Sequence, residues 1–133
     1  MSKQNLNPKD FTQALGAYSH GLKVDVGDSE MIFVTGQIAM DGNGNAVAPT
    51  DIAKQTEFVF QNLQKILAEG GASLDDAVKA VIYVTDISKF KEISAIRNKY
   101  FANAKPVSTL VEISKTVKDG CDIEIEVIAI KKK

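Results

Sequence analysis

At 133 residues the chain has room for one domain with a real core, and its 44% apolar and 25% charged fractions are ordinary for a globular protein. A formal net charge of −1 leaves no basic surplus for gripping phosphates, so composition gives nucleic acid binding no support. The lone cysteine, Cys121, can neither close an internal disulfide nor found a cysteine-rich zinc site, which suits a reducing compartment and makes the cytoplasm the expected location.

The N-terminus MSKQNLNPKD is polar, and no stretch approaches the ~20 apolar residues of a membrane span, so no membrane association is expected. Residues 22–26 alternate and break at Gly27. Residues 31–39 form a longer apolar run that stops before Asp41-Gly42-Asn43-Gly44, so two strands and a turn are expected. Over residues 51–69, Ile52, Val59, Phe60, Leu63, Ile66 and Leu67 recur at helical spacing, with Thr50 placed as N-cap, Asp51 in the first turn and Gly70-Gly71 at the stop. Phe58 falls off that face and reads either as a scattered surface aromatic or as a subunit contact.

Residues 78–84 are β-branched and too short for a helix, hence a buried strand. A second helix is expected over 88–101, with Phe90, Ile93, Ile96, Tyr100 and Phe101 on its apolar face. Then KPVSTLVEIS, residues 105–114, alternates Val107, Thr109, Val111 and Ile113 with Ser108, Leu110, Glu112 and Ser114. The last strand, 122–130, sets Ile123, Ile125, Val127 and Ala129 against Asp122, Glu124, Glu126, Ile128 and Ile130. Lys131 to Lys133 read as a solvated end that discourages edge pairing.

The order ββαβαββ, in one domain over residues 1–133, points to an α+β fold: one mixed sheet with two helices on one face. Helices on one side cannot bury both faces of strands as apolar as 31–39 and 78–84. The uncovered face is therefore expected to pack against further copies of the chain.

No P-loop, GxGxxG, HExxH or GxSxG pattern is present, and GNG at 42–44 reads as a turn. His20 has no Cys or carboxylate at ligand spacing and reads as an ordinary or satisfied histidine, so no metal site is expected. Glu124 and Glu126 share one strand face, with Glu112 assigned to a possible neighbouring strand. Carboxylates beside Ile128 and Ile130 are costly unless partnered, so they are either ion-paired or kept for acid–base work.

The segments GAYSHGLKV (16–24), IFVTGQIAMD (32–41), QTEFVFQNLQKILAEGGASLDDAVKAVIYVTD (55–86), KPVSTLVEI (105–113) and DIEIEVIAI (122–130) together resemble the reactive-intermediate deaminase family. This family is also called Rid, YjgF-type or L-PSP endoribonuclease. The resemblance covers nearly the whole chain in order. It implies a chorismate-mutase-like fold and a homotrimer whose three sheets enclose a barrel. It also implies clefts between subunits that bind small carboxylates, where catalytic members hydrolyse 2-imino or 2-enamino acids to 2-keto acids and ammonia without a cofactor.

By the same resemblance, Tyr18, Gly36 and Glu124 match the family's cleft tyrosine, cleft glycine and water-positioning carboxylate, and Thr35 stands where a serine is usual. Ser94 replaces a usual asparagine. Deaminating members read P-A-R-S-C/T-V-E-V at the strand over 105–114, and alignment on Pro106 and Val111-Glu112-Ile113 puts Ser108 where their carboxylate-binding arginine stands. A neutral hydroxyl bonds a carboxylate far more weakly than a bidentate guanidinium.

The only arginine, Arg97, falls within the apolar face of the second helix. Either its head pairs with Glu126 or Glu112, or it reaches the cleft and takes over anion binding. Lys105 and Lys115 lie near strand ends and read as solvated. Three functions follow from this pattern: an imine-hydrolysing enzyme, a ligand-binding or regulatory trimer without that chemistry, and, least supported, an endoribonuclease, for which no basic stripe or histidine pair is present.

Overall fold

The alternating segments assemble into a single six-stranded sheet in the computed structural model, which describes residues 2–133. The strands are β1 (Lys3–Leu6), β2 (Gly21–Asp25), β3 (Ser29–Ile38), β4 (Ala77–Val84), β5 (Val107–Glu112) and β6 (Ile123–Lys132), in the spatial order β1-β2-β3-β6-β4-β5. All pairings are antiparallel except β4 with β5, which run parallel. Parallel neighbours need a crossover, and the second helix supplies it.

The expected order gains one strand. KQNL pairs with β2 although three of its four side chains are exposed and only Leu6 enters the core, so its apolar pattern carries almost no signal. The lysine tail is also less free than expected: β6 runs on to Lys132, Lys131 Nζ donates to Gly71 O at 2.6 Å, and Lys133 pairs with Asp25.

Helix α1 (Ile52–Glu69) is capped by Asp51, whose carboxylate accepts from Lys54 N at 3.1 Å. Thr50, expected in that role, instead turns the chain at φ 71°. The second helix begins as a 3₁₀ turn at Ile87–Lys89, capped by Asp86, and continues as α2 (Phe90–Tyr100). Val59, Phe60, Leu63, Ile66 and Leu67 of α1 are fully buried against Ile32, Ile82, Val84, Ile123 and Ile125, each worth roughly 1.5–3 kcal/mol of burial.

Phe60 stacks on Tyr100 at 4.7 Å and meets Phe101 edge-on at 5.2 Å, which locks α2 onto α1. Glu57 on α1 accepts from Lys99 and from the Tyr100 hydroxyl. Burial, and then that acceptor, push the Tyr100 hydroxyl up to about 12. Ile93 and Phe101 are core residues as expected, whereas Phe90 opens the helix 44% exposed.

Register places Leu22, Val24, Met31, Phe33, Val81, Ile128 and Ile130 on the sheet face away from the helices, together with Val107 and Val111. Val107 is 68% exposed, and Phe33, Val111 and Ile130 are each at 39–40%. The helices leave this apolar face uncovered, as their expected placement on one side of the sheet implies.

Candidate active site

The register of β3 breaks between Val34 and Gln37. Here the strand outruns β2, whose last pair is Gly21 with Val34, and residues 7–20 fold over the edge left bare. Thr35 fastens this segment: its N–H donates to His20 O at 2.8 Å and its hydroxyl to Ser19 O at 2.6 Å. His20 N donates to Asn7 Oδ1 at 2.9 Å. A ring nitrogen facing a carbonyl must donate, so His20 Nε2 carries the proton given to Thr12 O at 2.8 Å, and Nδ1 accepts from Gln37 at 3.4 Å. The histidine is satisfied on both sides, as its isolation in the sequence suggests.

The folded-over segment, the bulge and one side of α1 enclose a cleft of ≈ 260 Å³. Tyr18, Thr35, Gly36 and Glu124 all line it, so four positions taken from the family pattern converge. Tyr18 is half exposed, and its hydroxyl accepts from Leu15 N at 3.3 Å. A Cβ at Gly36 would collide with the Glu124 carboxylate, so the bare backbone there is what admits that side chain.

Glu124 is half-buried and accepts no hydrogen bond among the described residues. Burial, and then the charge of Glu126 beside it, raise its pKa above the ordinary carboxylate value. Glu126 takes the Tyr83 hydroxyl as its donor, which raises the Tyr83 pKa. One carboxylate of the pair is therefore partnered and the other is left free, and neither is ion-paired. Glu112 does not join them. It lies on β5, with β4 between it and β6, and accepts from Ile87 N at 3.0 Å.

Phe58 lines the cleft together with Asn62 and Lys65, so it is not a scattered surface ring. Lys65 is held at 2.9 Å by Asp10, across the cleft mouth. Positions 58, 62 and 65 form an i, i+4, i+7 stripe beside the core stripe of α1. That spacing is visible in the sequence, yet the mixed chemistry of the three residues hides it.

Ser108, at the family's arginine position, lies elsewhere, together with the candidate substitute Arg97. Arg97 and Ser108 line a second depression with Phe101, Lys105 and Pro106, and it shares no lining residue with the first. Arg97 Nη2 donates to Ser94 Oγ at 2.8 Å and Nε to Asn98 Oδ1 at 3.3 Å, while the guanidinium carbon lies 6.0 Å from the Phe90 ring centre. The ion pair with Glu126 or Glu112 does not form. Glu126 points to the sheet face away from α2, and Glu112 is taken by the backbone before α2.

No helix among the described residues is long and apolar enough to cross a membrane. Residues 9–131 match the family described as Endoribonuclease L-PSP. A RutC family protein of Pyrococcus abyssi is 37% identical over 131 residues, covering 98% of this chain and 99% of its own. Among solved structures, the Rid family protein YyfA of Yersinia pestis superposes with a TM-score of 0.84 at 31% identity, covering 96% of this chain and 98% of that one. The Escherichia coli protein TdcF, solved with bound serine, superposes with a TM-score of 0.82 at 27% identity, covering 97% and 99%. The chain belongs to the Endoribonuclease L-PSP family, with relatives among the RutC and Rid proteins.

Proposed function

We propose that this protein is a homotrimer that binds small carboxylates in clefts between its subunits and hydrolyses 2-imino or 2-enamino acids to 2-keto acids and ammonia. The carrying observation is Glu124: a half-buried carboxylate with a raised pKa, no hydrogen-bond donor and a glycine gap in front of it. A carboxylate with a raised pKa is a stronger base than an ordinary one, and its acid form can return the proton. Glu124 takes a proton from water as its oxygen bonds to the iminium carbon, giving a carbinolamine. Returning that proton to nitrogen lets the C–N bond break as Glu124 takes the carbinol hydroxyl proton, and passing this proton to the departing ammonia releases keto acid and ammonium.

Tyr18 stands at the rim as a hydroxyl for orienting the substrate, and Thr35 holds the segment that carries it. The substrate carboxylate falls to Arg97, with Ser108 beside it, in place of the family arginine. Within one chain Glu124 and Arg97 lie in separate depressions, on a sheet whose apolar outer face is uncovered. Trimer assembly on that face is the arrangement that would bring one subunit's Glu124 to its neighbour's Arg97.

The family's name describes RNA cleavage. Its acid–base chemistry finds little support in a lone histidine with both ring nitrogens engaged. A coupled assay tests the proposal: a dehydratase generates 2-iminobutanoate, and keto-acid release is followed with and without the protein. Acceleration that falls at least about 100-fold in Glu124→Gln is expected for a positioned general base. Release at the buffer rate would sink the hydrolase reading.

A further inference from the structure

The depression beside α2 holds two cations and no carboxylate. Arg97 and Lys105 both line it, and neither forms an ion pair among the described residues. Arg97 is already oriented by Ser94, Asn98 and the Phe90 ring, so little rotamer freedom remains to be lost on binding.

The Lys105 backbone is fixed as well, while its side chain is exposed. Its N–H donates to Phe101 O at 2.9 Å, which closes the end of α2, and its φ is +45°. That left-handed geometry suits glycine or asparagine at a helix end, and Pro106 restricts the residue before it further. A lysine there keeps a strained backbone and delivers a charge beside Arg97. The carbonyl end of α2 also faces this corner and disfavours an anion, so one cation alone would bind weakly.

We propose that the ligand of this site carries two negative charges: a 2-imino or 2-keto acid with a second carboxylate, one carboxylate on Arg97 and Ser108 and the other on Lys105. This rests on the reading that Arg97 faces the ligand, and it adds the class of substrate. A monocarboxylate leaves Lys105 uncompensated, whereas a dicarboxylate neutralises the pair.

Calorimetric titration with two keto acids tests this at one ionic strength. 2-Oxoglutarate is expected to bind at least about tenfold more tightly than 2-oxobutanoate, the scale of one charge-assisted contact. Lys105→Met keeps the stem and should abolish that preference, with 2-oxoglutarate losing at least about tenfold in affinity and 2-oxobutanoate losing less. Arg97→Met should weaken both ligands. Equal affinity of the two keto acids, or a preference that survives Lys105→Met, overturns the proposal, as does binding of neither. The 2-iminobutanoate assay reads the hydrolase reaction separately. Its failure with the dicarboxylate preference intact, and with the imine of 2-oxoglutarate as substrate as well, would remove the chemistry and leave the ligand class standing.

Discussion

Gly36→Ala isolates the contact on which the cleft is built. The Gly36 φ is not in the left-handed region, so the backbone accepts alanine and the cost is steric alone. The added Cβ meets the Glu124 carboxylate, Cδ and Cγ, and the carboxylate must rotate away from its place beside the bulge. Overpacking costs roughly 1–3 kcal/mol in a closed core, and a half-buried flexible side chain belongs at the lower end, near about 1–1.5 kcal/mol. At this chain length that is a drop of roughly 3–6 °C in Tm.

A double-mutant cycle assigns the cost. Glu124→Ala removes the obstacle, and in that background Gly36→Ala should cost less than about 0.5 kcal/mol, leaving a coupling near 1 kcal/mol. Urea unfolding followed by circular dichroism, at fixed protomer concentration, measures all four proteins. Equal costs of Gly36→Ala in both backgrounds would refute the contact. It would also remove the reason for a glycine in front of the carboxylate.

The raised pKa of Glu124 fixes the sign of a pH dependence. A folded value above the unfolded one favours folding most at pH below the ordinary carboxylate range, and that contribution is lost as pH rises through the raised value. Glu124→Gln should therefore gain stability relative to the parent as pH rises above the ordinary carboxylate range of about 4, whereas a difference that stays flat would contradict the burial of this charge. Phe33→Asp, on the uncovered sheet face, should shift light scattering toward monomer while leaving far-UV dichroism of the diluted protein native-like. A parent protein already monomeric at micromolar concentration would remove the basis for a cleft between subunits.

Most of the fold is legible in the sequence because its signals are periodic. The helical stripe of Val59, Phe60, Leu63, Ile66 and Leu67 and the strand alternation of Ile123, Ile125, Val127 and Ala129 are both core in the structure. β1 escapes because an edge strand is defined by backbone pairing, and Lys3, Gln4 and Asn5 show water rather than a buried face. The N-cap shifts from Thr50 to Asp51 because a left-handed turn comes between the loop and the helix, a detail composition does not encode.

The first cleft is legible only through the family pattern, since Tyr18, Gly36 and Glu124 lie far apart in the chain and share no spacing rule. Arg97 shows the opposite difficulty. Its place on the apolar face of α2 suggested a buried ion pair. Alternation with the buried Ile125 and Val127 already puts Glu126 on the far face, whereas the strand order that separates Glu112 from β6, and its capture by Ile87 N, are not written locally. Chemistry that depends on two strands meeting, or on two subunits, leaves no local trace.

Mixing two inactive variants tests most directly whether the reacting carboxylate and the anion-binding cation act together from different subunits. Glu124→Gln and Arg97→Met proteins, each deficient alone, are unfolded together, refolded at equal ratio and assayed for keto-acid release from 2-iminobutanoate. In randomly mixed trimers each cleft draws one side from each neighbour, so about a quarter of clefts are intact and about a quarter of the parent rate is expected. A mixture no faster than the two variants separately would contradict a shared cleft and return both groups to a single chain.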